Sequence, residues 1–128
     1  MLSLFPALLD FGSIAPLLLR LALGGTFLSY GLRELIRPQT PAPNSSLSPR
    51  LIRLIGAWES LLGALLVVGL FTQIVALLIG LELLGYLVIR FKDKAKMPIS
   101  ADYLFVMLAI AISLMLLGSG LFAFDLPL

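Results

Sequence analysis

The sequence predicts an all-α membrane protein, a bundle of four transmembrane helices with both termini on the non-cytoplasmic side. Three observations lead there. Of 128 residues, 60% are hydrophobic and 12% charged, with a mean hydropathy of +1.10, whereas a soluble domain carries charge on roughly 25% of its residues. The charges are bunched, leaving apolar stretches on the scale of the ~20 residues that cross a bilayer. Apart from Arg20, every Lys and Arg flanks one of two loops. One membrane domain, residues 1–128, accounts for the whole chain.

Residues 1–13 are apolar, contain Asp10 and lack Lys and Arg. Without a basic n-region they read as a short interfacial segment before the first span rather than as a secretory signal. The first span is expected over 14–36. Ser13 is placed to cap it, and Pro16 is tolerated in the first turn, whose amides have no helical acceptor. Arg33, Glu34 and Arg37 mark its exit from the bilayer. Residues 38–49 hold four prolines and form a loop. The sequon-like Asn44-Ser45-Ser46 is too short a match to carry weight.

Ser48-Pro49 reads as an N-cap followed by proline at the first helical position, which opens a second span over 51–70. The 22 uncharged residues between Glu59 and Glu82 are too few for two complete spans. They hold half of one helix, a turn and half of the next. Gly69 is suited to end the second helix and Thr72 to cap the third, whose span is 73–89. Arg90, Lys92, Asp93, Lys94 and Lys96 make a charged loop closed by Pro98, suited to fixing topology or meeting anionic headgroups. Ser100 caps the fourth span, 103–120, and Asp102 complements the dipole of its first turn. Gly118-Ser119-Gly120 breaks its tail. No repeat of solenoid period is present.

Arg33, Arg37, Arg50 and Arg53 flank the first loop, and Arg90, Lys92, Lys94 and Lys96 the third; the two tails and the second turn have no basic residue. The positive-inside rule then sets both termini outside, in a multi-pass protein of the cell's inner (plasma) membrane. The net charge of +2 reflects these loops, so nucleic acid is not the expected partner. The chain has no cysteine and no histidine. That excludes a disulfide, a thiol redox centre, a cysteine-ligated cluster and histidine-ligated haem or zinc. No metal site and no covalently held cofactor is expected.

Arg20, Glu59 and Glu82 are ionisable residues inside spans, with both glutamates near the midplane. A charge there costs about 2.5–3.5 kcal/mol or more, so all three should point into the bundle. Gly24, Phe27, Gly31 and Glu34 share a helical face with Arg20. Gly56 and Gly63 flank Glu59, and Gly85 and Tyr86 follow Glu82. Gly24, Gly31, Gly56, Gly63 and Gly85 are thus expected to let helices close around the polar groups. Tyr30 is placed to add a hydrogen bond to that cluster, while Tyr30 and Trp58 equally suit an interface. Two glutamates against one arginine leave a carboxyl without a cation, and low dielectric favours its neutral form. Two readings stay open: a structural ion pair between Arg20 and one glutamate, or a ligand or proton site.

The stretch LLLRLALGGTFLSYGLREL, residues 17–35, resembles the first-helix motif of the DoxX family. GAWESLLGALLVVGLFTQIVALLIG, residues 56–80, is similar to that family's second-helix glutamate, glycines and G-L-F-T turn, and LLGSGLFAFD to its close. Arg20, Gly24, Tyr30, Gly31, Glu59 and Gly63 match the pattern, with Tyr30 where many members have histidine. Glu82 and the proline-rich first loop have no counterpart in it. The resemblance implies a four-helix membrane fold, with relatives that include a subunit of thiosulfate:quinone oxidoreductase and members of redox-stress assemblies. The expected role is a non-catalytic subunit or accessory of a redox- or quinone-linked assembly, with a membrane or peripheral protein partner, a homo-oligomeric state, or a quinone as ligand. A small proton-coupled transporter and a quinone-site subunit of an oxidoreductase are the alternatives.

Overall fold

In a computed structural model the chain is described over residues 6–38, 48–93, 99–118 and 120. A short 3-10 helix, Pro6–Phe11, leads into four α-helices: α1 (Ile14–Ile36), α2 (Pro49–Val68), α3 (Thr72–Lys92) and α4 (Ala101–Leu117). No strand occurs among the described residues. The sequon-like triplet, most of the proline-rich loop, Lys94, Lys96, Pro98 and Ser119 lie outside them. Helices α1, α2 and α3, with 23, 20 and 21 residues, are long and apolar enough to cross a membrane. Helix α4 is apolar over 17 residues, about 25 Å at 1.5 Å per residue.

Local chemistry sets most boundaries. The Ser48 hydroxyl accepts from the Leu51 amide at 3.3 Å with Pro49 behind it, and the Ser100 hydroxyl accepts from the Tyr103 amide at 3.4 Å. Gly69, at φ 82°, closes α2, and its amide donates to the Leu65 carbonyl at 2.9 Å. Three expectations need correction. Ser13 makes no side-chain cap bond, because its backbone at φ −71° and ψ −15° is already helical and a capping residue sits in the extended region. Helix α3 begins at Thr72 itself, and the residue before it, Phe71, adopts φ 50° and ψ 40°. Two left-handed residues, Gly69 and Phe71, thus turn the chain. Helix α4 ends at Leu117 rather than at 120, because Gly118 reverses to φ 80°.

Helices α1 and α2 make the closest contact in the bundle, α3 and α4 the next, while α1–α4 and α2–α3 touch sparingly. Glycine explains the first. A Cβ on Gly63 would stand 2.5 Å from the Leu28 amide nitrogen and 2.7 Å from the Gly24 carbonyl oxygen. One on Gly31 would stand 2.5 Å from the Ser60 amide nitrogen and 2.7 Å from the Gly56 carbonyl oxygen. Gly24, Gly31, Gly56 and Gly63 therefore let two backbones touch, the packing that drives association where lipid removes the hydrophobic incentive. Gly85 does not join them: a Cβ there would meet nothing within 4 Å, because it stands on an exposed flank of α3.

Leu23, Leu62, Leu66, Ile79, Leu104 and Leu114 form the buried centre. Outside it, Leu54, Ile74, Leu81, Val106 and Leu116 are exposed. A bundle apolar on both surfaces has lipid for its solvent. Thr26, Ser60 and Ser113 each donate their hydroxyl to the carbonyl four residues back, which satisfies a polar group inside an apolar helix without any partner helix. The Gln73 side-chain amide donates to the Met115 carbonyl at 3.2 Å, tying the start of α3 to the end of α4.

Candidate functional site

Glu59 and Glu82 stand near the middle of α2 and α3, and Tyr86 lies one turn beyond Glu82 on the same helix. Spacing of i, i+4 puts Glu82 and Tyr86 one above the other, facing α2. The Tyr86 hydroxyl oxygen is 2.5 Å from Glu59 Oε1 and 2.9 Å from Glu82 Oε1. It bridges two helices that otherwise touch sparingly. Glu59 is 7% exposed, so the bridge lies inside the bundle.

The Tyr86 hydroxyl is the donor in both contacts, and a phenol carries one proton. A proton shared with the carboxyls would let both contacts be made at full strength. Two bare carboxylates flanking one hydroxyl at this depth would combine desolvation with repulsion; such a proton would remove both. Glu82 Oε2 has no hydrogen-bond partner although it is buried.

A third carboxyl approaches from α1. The Glu34 Cβ lies 3.0 Å from the position a Cβ would take on Gly56, so the glycine seam holds Glu34 one turn from Glu59. Glu34 is within electrostatic range of both Glu59 and Glu82. Three helices thus contribute four groups, Glu34, Glu59, Glu82 and Tyr86, toward the end of the bundle where α1 finishes and α2 begins. Among the described residues no set of three or more His, Cys, Asp or Glu is arranged to hold a metal ion.

Two of the expected cluster residues lie elsewhere. Gly24 abuts Gly63 and Val67, and Gly31 abuts Gly56 and Ser60. With Gly56 also against Leu35, this antiparallel register sets Glu59 level with the stretch of α1 between Gly31 and Leu35. Arg20 is more than two turns from there, about 12 Å or more along the axis at 1.5 Å per residue. It is 1% exposed and level with the α2–α3 turn, so the expected grouping of Arg20 with the two glutamates is corrected by register. Tyr30 is 40% exposed and flanks α4 instead. Its ring meets Tyr103 edge-on at 6.4 Å, with the Arg33 guanidinium 5.6 Å from its centroid.

Sequence reasoning placed Tyr86 on the right face without assigning it a role. It placed Glu34 on the face shared with Arg20 and at the membrane exit, without counting it in the cluster. The i, i+4 spacing to Glu82 and the shared face with Gly31 were the signals available for each.

The profile of the DoxX family matches residues 15–91, which takes in α1, α2 and nearly all of α3. Neither a curated protein nor a solved structure matches the chain.

Proposed function

From the premise that the chain belongs to the DoxX family, a family of membrane proteins, we propose that it is a non-catalytic subunit or accessory of a redox- or quinone-linked assembly in a prokaryotic inner membrane. Its part is to hold a lipophilic molecule by the polar head, a quinone being the expected class. The observation that carries this reading is the Glu59–Tyr86–Glu82 bridge, with a buried carboxyl oxygen left over. Polar side chains inside a membrane span are costly, and binding sites are where they are retained. The chain has no cysteine or histidine, so a partner protein carries the electrons.

Native mass spectrometry of the mildly extracted protein tests this. The wild type and Tyr30→Phe, altered away from the bridge, are expected to retain a quinone-sized ligand. Glu59→Gln and Tyr86→Phe are expected to lose it. A wild type that carries no such ligand and copurifies with no partner removes the reading.

Two protonatable carboxyls near the middle of two spans also favour a second reading, a small proton-coupled transporter. pH-dependent flux through proteoliposomes that is abolished in Glu59→Gln would replace the first reading with this one. The positive-inside count supports termini outside the cytoplasm in either case.

A further inference from the structure

The two hairpins, α1–α2 and α3–α4, share an apolar core at one end only. Among the described residues, the first hairpin gives that core Leu19, Leu23 and Phe27 from α1 and Leu62, Leu65 and Leu66 from α2. By register all six lie on the side of Glu59 nearer the α2–α3 turn, the turn end. The second hairpin gives residues along the whole of its two helices, from Val75 to Leu87 and from Leu104 to Leu114. Toward the loop end, where α1 finishes and α2 begins, Leu87 and Leu104 therefore have no apolar counterpart from the first hairpin in that core. Ile52, though buried, stands outside it.

What joins the hairpins beyond that core is polar or aromatic. The Tyr86 hydroxyl bonds to Glu59 across the seam, and the Glu59 and Glu82 carboxyls lie within hydrogen-bonding reach of each other. On the opposite seam Tyr30 of α1 meets Tyr103 of α4 edge-on. Hydrogen bonds weaken steeply with a small displacement, and lipid adds no hydrophobic incentive to keep the helices together.

The turn end is tied instead. The chain passes from α2 to α3 there through Gly69 and Phe71, both left-handed. At φ 50° the non-glycine Phe71 is strained, and its ring is 65% exposed, so packing of the ring does not hold the strain. Residues of this kind gather at switch regions. A Cβ on Gly120 would stand 2.7 Å from the Pro16 Cβ, which sets the residues after α4 against the start of α1. Arg20 and Thr72 are fully enclosed at the same level.

We infer that the two hairpins form a clamp that pivots about the turn end and parts at the loop end, with the Tyr86 bridge as its catch. Opening brings Glu59 and Glu82 within reach of a head group arriving through the α2–α3 seam. That use rests on the ligand-binding reading above; the movement does not.

Double electron–electron resonance on the full chain in lipid nanodiscs tests the movement, with spin labels on cysteines introduced into a chain that has none. Ile36→Cys with Val88→Cys spans α1 and α3 at the loop end, and Leu18→Cys with Ile74→Cys spans the same helices at the turn end. Ile36→Cys with Leu54→Cys stays within the first hairpin, and all five residues are exposed. A pivot of about 10° on an arm of about 30 Å, the length of α3, moves the far end by about 5 Å. The loop-end pair is expected to show a component longer by that amount, minor in the wild-type background and dominant in Tyr86→Phe. The other two pairs are expected to stay unchanged. Helical circular dichroism checks the variant. Should it not fold, Glu59→Leu removes the same catch from the α2 side with a side chain at home in a span. The absence of a longer component at the loop end in both backgrounds overturns the inference. So does lengthening of either other pair alongside it, which marks a bundle that loosens throughout. No ligand enters this measurement, so its failure leaves the ligand-binding reading to native mass spectrometry.

Discussion

A hydroxyl between two carboxyls resolves a conflict that neither carboxyl resolves alone. Glu59 cannot be left bare at its depth, and Arg20, the cation buried inside the bundle, lies more than two turns away by register. Tyr86 supplies the donor, to Glu59 and to Glu82 alike. Removing the hydroxyl with Tyr86→Phe strands a buried acceptor and is expected to destabilise the protein by about 1–3 kcal/mol, read as a lowered midpoint in thermal unfolding in detergent. Glu59→Gln keeps hydrogen-bonding capacity and should lose less. Hydropathy found Glu59 and Glu82 because charged residues interrupt apolar runs. It was blind to Tyr86, whose ring is as much at home in a span as any aromatic and whose role depends on one atom. Glu34 was hidden for the opposite reason: beside Arg33 and Arg37, a charge at a helix end calls for no further explanation.

Among the elements, caps and glycines made the helices legible. Ser48-Pro49, Gly69 and Ser100 fixed ends to within a residue or two of those observed, because each acts on its own few neighbours. Ser13 and Thr72 misled because a capping residue type is common and the backbone decides whether it caps. Glycine shows the same limit. All five packing candidates looked alike in sequence, yet Gly63 meets backbone on α1 and Gly85 meets nothing. Gly63→Ala is therefore expected to force α1 and α2 apart and cost about 1–3 kcal/mol, as overpacking does. Gly25→Ala, where a Cβ would meet nothing within 4 Å, should be neutral or gain up to ~1 kcal/mol of helix propensity. Unfolding midpoints of the two variants, measured side by side, separate a contact glycine from an idle one.

At the scale of the whole molecule, four crossings would set both termini on one side, and the basic loops lead us to propose the outside. The chain lacks cysteine, so single cysteines report its orientation cleanly. Asp10→Cys is expected to react with a membrane-impermeant maleimide in intact bacteria, and Pro38→Cys only after lysis; the reverse pattern would invert the topology. Depth in the bilayer and sidedness are one-dimensional properties, and a sequence encodes them directly. Which residue of one helix lies level with which residue of another is not. Arg20 and Glu59 are close enough in depth to look like partners, and only the Gly24–Gly63 and Gly31–Gly56 contacts reveal the offset.

The unequal packing of the four helices has a consequence for how the protein is made. Helices α1 and α2 leave the ribosome before α3 and α4 and hold everything their tight seam requires, so the first hairpin is able to close while the second is still being synthesised. Glu59 then waits in it without a partner. The bridge to Tyr86 and Glu82 joins the first half to the second, and so it forms only when α3 has been inserted beside α2. The chemistry of the site and the joining of the two halves become the same event: a bundle that lacks α3 is left with an acid that has lost its Tyr86 donor.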